Sequence, residues 1–145
     1  MTFTLNIPGE PRGQGRPRFA RTTSGVTTYT DSETKGYQNL IRTMANIARV
    51  RMIDGPVSIA IVAYFEIPKS ATKTKRAEMR AGLTYPTKRP DIDNLAKAVL
   101  DALNSIAFKD DAQVCELTIR KRWADEPSVR VEIKALVETF AEVAE

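Results

Sequence analysis

The chain has 145 residues, 42% of them hydrophobic, with 22 basic against 18 acidic side chains and a net charge of +4. That length suits one domain with a real core but not two. No run nears the ~18 apolar residues of a membrane span, no signal-peptide pattern opens the sequence, and there is no histidine and a single cysteine. A histidine-based zinc site, a Ser-His-Asp triad and an internal disulfide are therefore excluded, and a cytoplasmic address is the default expectation. The positive charge is modest but uneven, which points to a polyanionic partner.

Residues 2–7 alternate Phe3, Leu5 and Ile7 with Thr2, Thr4 and Asn6, the pattern of a half-buried strand. Pro8 stops it. The loop over residues 9–21 is rich in glycine and proline and carries Arg12, Arg16, Arg18 and Arg21. Arginine binds phosphate bidentately and glycine lets backbone N–H groups approach it, so this loop is a candidate DNA contact. Phe19 in it reads either as a core residue, the simpler expectation, or as a side chain that stacks on a base. Residues 18–21 and 26–30 predict a hairpin around Thr22-Thr23-Ser24-Gly25. Asp31, or Thr30 with Glu33, then caps a helix whose apolar face is Tyr37, Leu40, Ile41, Met44, Ile47 and Ala48.

Residues 57–67 form the strongest strand pattern. Apolar side chains on both faces place it at the centre of a sheet. Pro68 ends it, and residues 69–83 predict a short basic helix. Between Lys69 and Arg89 seven basic residues (Lys69, Lys73, Lys75, Arg76, Arg80, Lys88 and Arg89) face Glu78 alone. A charge run is often only a solvated surface, but this one directly precedes a carboxylate cluster, which favours contact with a phosphate backbone.

That cluster organises the chain. Pro90 separates Arg89 from a helix that Asp91 or Asp93 can cap. Leu95, Val99, Ala102, Leu103 and Ile106 make its apolar stripe, while Asp93, Lys97, Asp101 and Asn104 share the other side. Asp110 and Asp111 follow and can fold back towards the first pair. Neighbouring carboxylates repel and raise one another's pKa, and a hard divalent cation offsets that repulsion. With a lysine for the phosphate, these are the parts of a metal-dependent phosphodiesterase. Taken by themselves, Asp93 and Lys97 read more simply as a helix-surface ion pair. Asp101 reads as a supporting ion pair or a metal contact.

Residues 114–123 predict a strand with Cys115, Leu117 and Ile119 on one face, Cys115 being simplest as a small core residue. Glu116, on its other face, reads first as a surface residue and second as a further oxygen for the metal shell. Asp125-Glu126-Pro127-Ser128 is a turn, and residues 129–135 pair back as the second arm of a hairpin. The tail, residues 136–145, reads as a short amphipathic helix, a frayed end or a dimer contact. Together these elements predict a single α+β domain, residues 1–145, with one mixed sheet and packed helices.

The run Arg89-Pro90-Asp91-Ile92-Asp93-Asn94-Leu95-Ala96-Lys97, continuing through Asp101 to Phe108-Lys109-Asp110-Asp111-Ala112-Gln113-Val114, resembles the RusA family of Holliday junction resolvases of bacteria and their phages. The likeness is strong from residue 89 to 121 and extends weakly to the first strand and the arginine loop. It implies a small α/β homodimer that resolves four-way DNA junctions with Mg²⁺, for which Mn²⁺ substitutes, by paired symmetric nicks in recombination and repair. It implies Asp91, Asp93 and Asp111 as metal-holding acids, with Asp110 the alternative to Asp111, and Lys97 as the essential lysine. The phosphate backbone would be gripped by Arg12, Arg16, Arg18, Lys73, Lys75, Arg76, Lys88 and Arg89. Two rival readings stand beside it. One is a non-catalytic nucleic-acid-binding module, whose DNA binding is indifferent to Mg²⁺. The other is a nuclease for flaps or other branched DNA.

Overall fold

The computed structural model describes residues 1–15, 18–29 and 32–137. The elements run β1 (Thr2–Pro8), β2 (Arg18–Thr22), β3 (Gly25–Tyr29), α1 (Ser32–Ile47), β4 (Val57–Glu66), α2 (Lys73–Arg80), α3 (Ile92–Leu103), a short 3-10 turn (Asp111–Gln113), β5 (Val114–Ala124) and β6 (Ser128–Ala135). They make one small α+β domain with a mixed four-stranded sheet in the order β1-β6-β4-β5, while β2 and β3 pair as a separate two-stranded ribbon.

The sheet order corrects one expectation. β6 does not fold back on β5 as a hairpin. It runs between β1 and β4, antiparallel to both, and β5 pairs with β4 in parallel. Val129, Val131 and Ile133 are wholly buried, and an interior position buries them better than a place at the edge. Parallel neighbours cannot be joined by a tight turn; they need a crossover. The segment between β4 and β5, which contains α2 and α3, is that crossover, so the carboxylate helix lies in the connection itself.

β4 is interior, as its pattern predicts, but only one of its faces is fully buried. Val57, Ile59, Ile61, Ala63 and Phe65 are inside, and the residues between them are half-buried. α1 packs on α3 and β1, and α3 also packs on β5. Leu95, Val99, Ala102 and Leu103 of α3 join Tyr37, Ile41 and Ala45 of α1 in the core over this face. The predicted stripe of α3 therefore holds through Leu103, where the helix ends, and Ile106 is only half-buried beyond it. Truncating Leu95 to alanine in so closed an environment costs about 2–5 kcal/mol.

Three side chains are more exposed than their patterns suggest. Ile47 is the last residue of α1 and is 68% exposed, its side chain lying off the face that Ile41, Ala45 and Ala48 turn to the core. Cys115 is exposed because β5 is an edge strand whose first residues have no helix over them. Phe19 is 72% exposed because β2 belongs to the separate ribbon and not to the main sheet. The predicted caps Thr30 and Asp31, and residues 138–145 of the tail, lie outside the described residues.

Candidate functional site

Asp91 is the N-cap of α3, with its backbone extended at φ −68° and ψ 152°. Its carbonyl accepts the first helical bond, from Leu95 N–H at 3.0 Å, but its carboxylate makes no capping hydrogen bond. An uncommitted carboxylate is thus left at the positive end of the helix, where negative charge is favoured. Asp93 and Lys97 are exposed and Asp101 is half-buried. A helix rises 1.5 Å per residue, so each is about 6 Å further along the axis than the one before, with the lysine between the two acids.

Beyond α3 the chain turns sharply. Ser105 takes a left-handed backbone at φ 68°, its N–H donates to Phe108 O at 2.8 Å, and the Phe108 side chain is completely buried. This anchor brings Asp110 and Asp111 back beside the helix. The two acids then differ. Asp110 caps the 3-10 turn, its carboxylate accepting from Ala112 N–H at 3.2 Å. That bond, with a second from the Asp111 side chain, holds its carboxyl below the usual value. Asp111 is pushed up, first by the hydrogen bond it shares with Asp110, then by slight burial, then by the negative charges of Asp110 and Asp101. Asp111 is therefore the acid of the two whose proton is held more tightly, mainly by Asp110 beside it, with Asp101 of α3 adding a smaller effect.

Gln113 fixes this corner. Its side-chain oxygen accepts from Lys109 N–H at 2.9 Å and Asp110 N–H at 3.3 Å, and its amide donates to Ile53 O at 2.8 Å and Gly55 O at 2.9 Å. The sequence signal for it was available: aspartate followed three residues later by glutamine is a capping box.

At the other end of α3, the arginine loop is attached to both helices. Gln14 N–H donates to Asn94 O at 2.9 Å, Gly15 N–H donates to Thr34 Oγ1 at 3.1 Å, and Gln38 Nε2 donates to Gln14 Oε1 at 2.9 Å. The close approach requires glycine at position 13, where an added Cβ would lie 2.9 Å from Asn94 Cβ and 3.0 Å from Pro90 Cβ. A cavity of about 360 Å³ opens here, bordered by Arg12, Glu33, Arg89, Asp91 and Asn94. Arg12 is 3.5 Å from Glu33, an exposed pair of small energetic value.

The remaining basic residues divide by environment. Lys73 and Lys75 are exposed on α2. Arg76 donates to the carbonyls of Pro68 and Lys69 at 3.2 and 3.3 Å, so part of its guanidinium holds the end of the preceding loop. Lys88 is exposed, with its ammonium 5.5 Å from the Phe65 ring centre and 6.0 Å from that of Trp123. Lys121 Nζ donates to Lys88 O at 2.7 Å and sits 5.4 Å from the Phe65 ring. These contacts fasten the approach to α3 onto β5. The role of Lys121 was not foreseen, since nothing local in sequence links it to Lys88. Arg16 and the side chain of Arg18 lie outside the described residues; the Arg18 backbone begins β2.

The structure thus brings Arg12, Arg89 and Asp91 to one cavity and sets Lys97 between Asp93 and Asp101 along α3. Among the described residues no three acidic or cysteine side chains stand close enough to hold a metal on their own. Mg²⁺ seldom uses such a cage; it takes one or two carboxylates and completes its octahedron with water and substrate phosphate. Accessible carboxylates suit that mode. No described helix is long and apolar enough to cross a membrane.

Comparison with known proteins supports the same region. The family model for endodeoxyribonuclease RusA matches residues 8–134. A protein of Bacillus subtilis (strain 168), carrying the name Uncharacterized protein YqaN, is 38% identical over 133 residues, covering 90% of this chain and 94% of its own.

Proposed function

This chain belongs to the RusA endodeoxyribonuclease family, and from that premise we propose that it is a Mg²⁺-dependent, structure-selective endonuclease that resolves four-way DNA junctions by paired symmetric nicks. The observation that carries the reading is the solvent face of α3, where Lys97 lies between Asp93 and Asp101 with Asp91 uncommitted at the helix start. Caps and surface ion pairs alone do not call for that arrangement. Asp91 makes no side-chain cap, and among the described residues neither Asp93 nor Asp101 forms an ion pair with Lys97.

In this reading Asp91, Asp93 and Asp111 would hold Mg²⁺, and Asp101 tunes Asp111 by its charge. Mg²⁺, when bound, supplies a polarised phosphoryl oxygen and a water of lowered pKa. The other work falls to the chain's own residues. Lys97 offers a compact positive charge to the scissile phosphate as its negative charge builds. Arg12 and Arg89, which border the cavity at the helix start, orient the adjoining backbone, and exposed Lys73 and Lys75 extend the basic surface along α2. Arg16, Arg18, Arg76 and Lys88 complete the proposed grip. Two nicks at symmetric positions require two sites, which a two-fold homodimer provides.

Replacing Lys97 with alanine tests this assignment. The variant should bind junction DNA with little loss and cut it at least ~100-fold more slowly, the scale seen when one electrostatic stabiliser is removed. Unchanged cleavage would assign Lys97 to the helix surface alone.

A further inference from the structure

The ribbon of β2 and β3 forms no part of the main sheet. Phe19 and residues 21–27 are exposed, and Ala20 is half-buried. Phe19 pairs across the ribbon with Thr28, and Arg21 with Val26. Because side chains alternate along a strand and cross-strand partners share a face, Phe19, Arg21 and Val26 lie on the same side. Phe19 is 72% and Val26 63% exposed. A phenylalanine normally hides most of its surface, so this one lacks the partner that its chemistry asks for.

Charge identifies the partner. Residues 11–30 contain Arg12, Arg16, Arg18 and Arg21 and no carboxylate. An apolar ring set among arginines matches stacked bases within a phosphate backbone better than an apolar protein surface. Position agrees. The ribbon is reached through Gly15, which is tied to Thr34, and Gln14, which is tied to Asn94 in the first turn of α3. Phe19 is four residues beyond Gly15, and at about 3.5 Å per step the two Cα atoms are within ~14 Å. The ring is therefore leashed close to Asp91 and Asp93.

We propose that Phe19, supported by Val26 and Arg21 on the same face of the ribbon, inserts among the unstacked bases at the branch point of the DNA. The inference rests on the junction-resolving reading and deepens it. Apolar side chains wedge between bases where unstacking is cheapest. A linear duplex is stacked throughout, whereas a branch point interrupts the stack. The ribbon would thus contribute selectivity for DNA shape without reading sequence.

The test uses a four-way junction carrying 2-aminopurine at the branch point, a linear duplex carrying it in the same sequence, and the full chain in EDTA so that nothing is cut. Bound wild type should raise the fluorescence of the junction by about 2-fold or more and leave the duplex unchanged. Phe19→Ala should abolish the rise and weaken junction binding by about 5- to 150-fold, the value of one base–aromatic stack, with duplex binding unaffected. Phe19→Trp should restore both. No rise with bound wild type, or an equal rise with Phe19→Ala, would overturn the proposal. So would a dimer-to-monomer change in sedimentation velocity as the sole effect of Phe19→Ala, which would make this face a contact between copies. If wild type cuts junctions in an Asp93-dependent way while the Phe19 signal is absent, the wedge alone fails. If the chain neither binds nor cuts a junction, the resolvase reading fails with it.

Discussion

The backbone N–H of Gln14 donates to the backbone carbonyl of Asn94 at 2.9 Å, fixing the arginine loop to the first turn of the carboxylate helix. Two segments some eighty residues apart thereby become one surface, with Arg12 on one side and Asp91 on the other. The bond needs the loop to come close, and closeness is what Gly13 permits.

Gly13→Ala should therefore cost about 1–3 kcal/mol, because the new methyl meets the Cβ atoms of Asn94 and Pro90, which sit on the backbone and cannot swing aside. Urea denaturation measures it. A variant as stable as wild type would mean that the loop does not sit against α3.

Gln113→Ala removes a side chain that joins four backbone groups across the corner below Asp110. These bonds are exposed or part-buried, so losing them should cost about 0.5–1.5 kcal/mol. Cleavage should fall beyond the loss of folded protein, because Asp111 loses its support. Equal stability with equal activity would refute the role.

Asp110→Asn and Asp111→Asn should separate. Asparagine caps nearly as well as aspartate, so the first change should keep the turn and most of the activity. The second should reduce cleavage by more than the about 10–100-fold typical of groups that only support a metal ligand. Single-turnover rates decide it, and the reverse order would place Asp110 in the site.

Tyr37 gives a pH prediction away from the site. Its hydroxyl is buried and makes no hydrogen bond among the described residues; the Arg12 N–H lies near without forming a well-aligned bond. Burial pushes its pKa from 10.0 up to about 12. The unfolded chain ionises first, so the stability tied to the neutral phenol is full below pH 10 and is lost as pH rises through about 12. Unfolding free energies of wild type should fall over that window by roughly 2–3 kcal/mol more than those of Tyr37→Phe. At neutral pH the variant should be as stable as wild type or slightly more so, since it removes an unmatched polar atom. Parallel alkaline profiles would contradict this.

The legible parts of the fold were those set by local periodicity. The buried face of β4, the inward residues of β1 and the stripe of α3 from Leu95 to Leu103 follow from spacing alone. The placement of β6 between β1 and β4 did not, because alternation reports which side chains point inward but not which strand lies alongside. Phe19 and Cys115 show the same limit. A hydrophobic residue on a strand is buried only if another layer covers it, and for both the covering layer is missing. In the site, the α3 residues were readable as a helix face. The path of the chain from α3 to Asp110 and Asp111 depended on the turn at Ser105 and the anchor at Phe108, which only the folded chain reveals.

The most direct test of the central claim is cleavage of an end-labelled four-way junction, beside linear duplex and a flap, with Mg²⁺ or EDTA, by wild type and Asp93→Asn. The account predicts paired symmetric nicks in the junction by wild type with Mg²⁺ alone, and an Asp93→Asn variant that binds the junction without cutting it. Equal cutting of flaps would contradict the junction assignment. Binding without cutting by wild type in Mg²⁺ would contradict the nuclease itself and leave the carboxylates as structural groups on a DNA-binding domain.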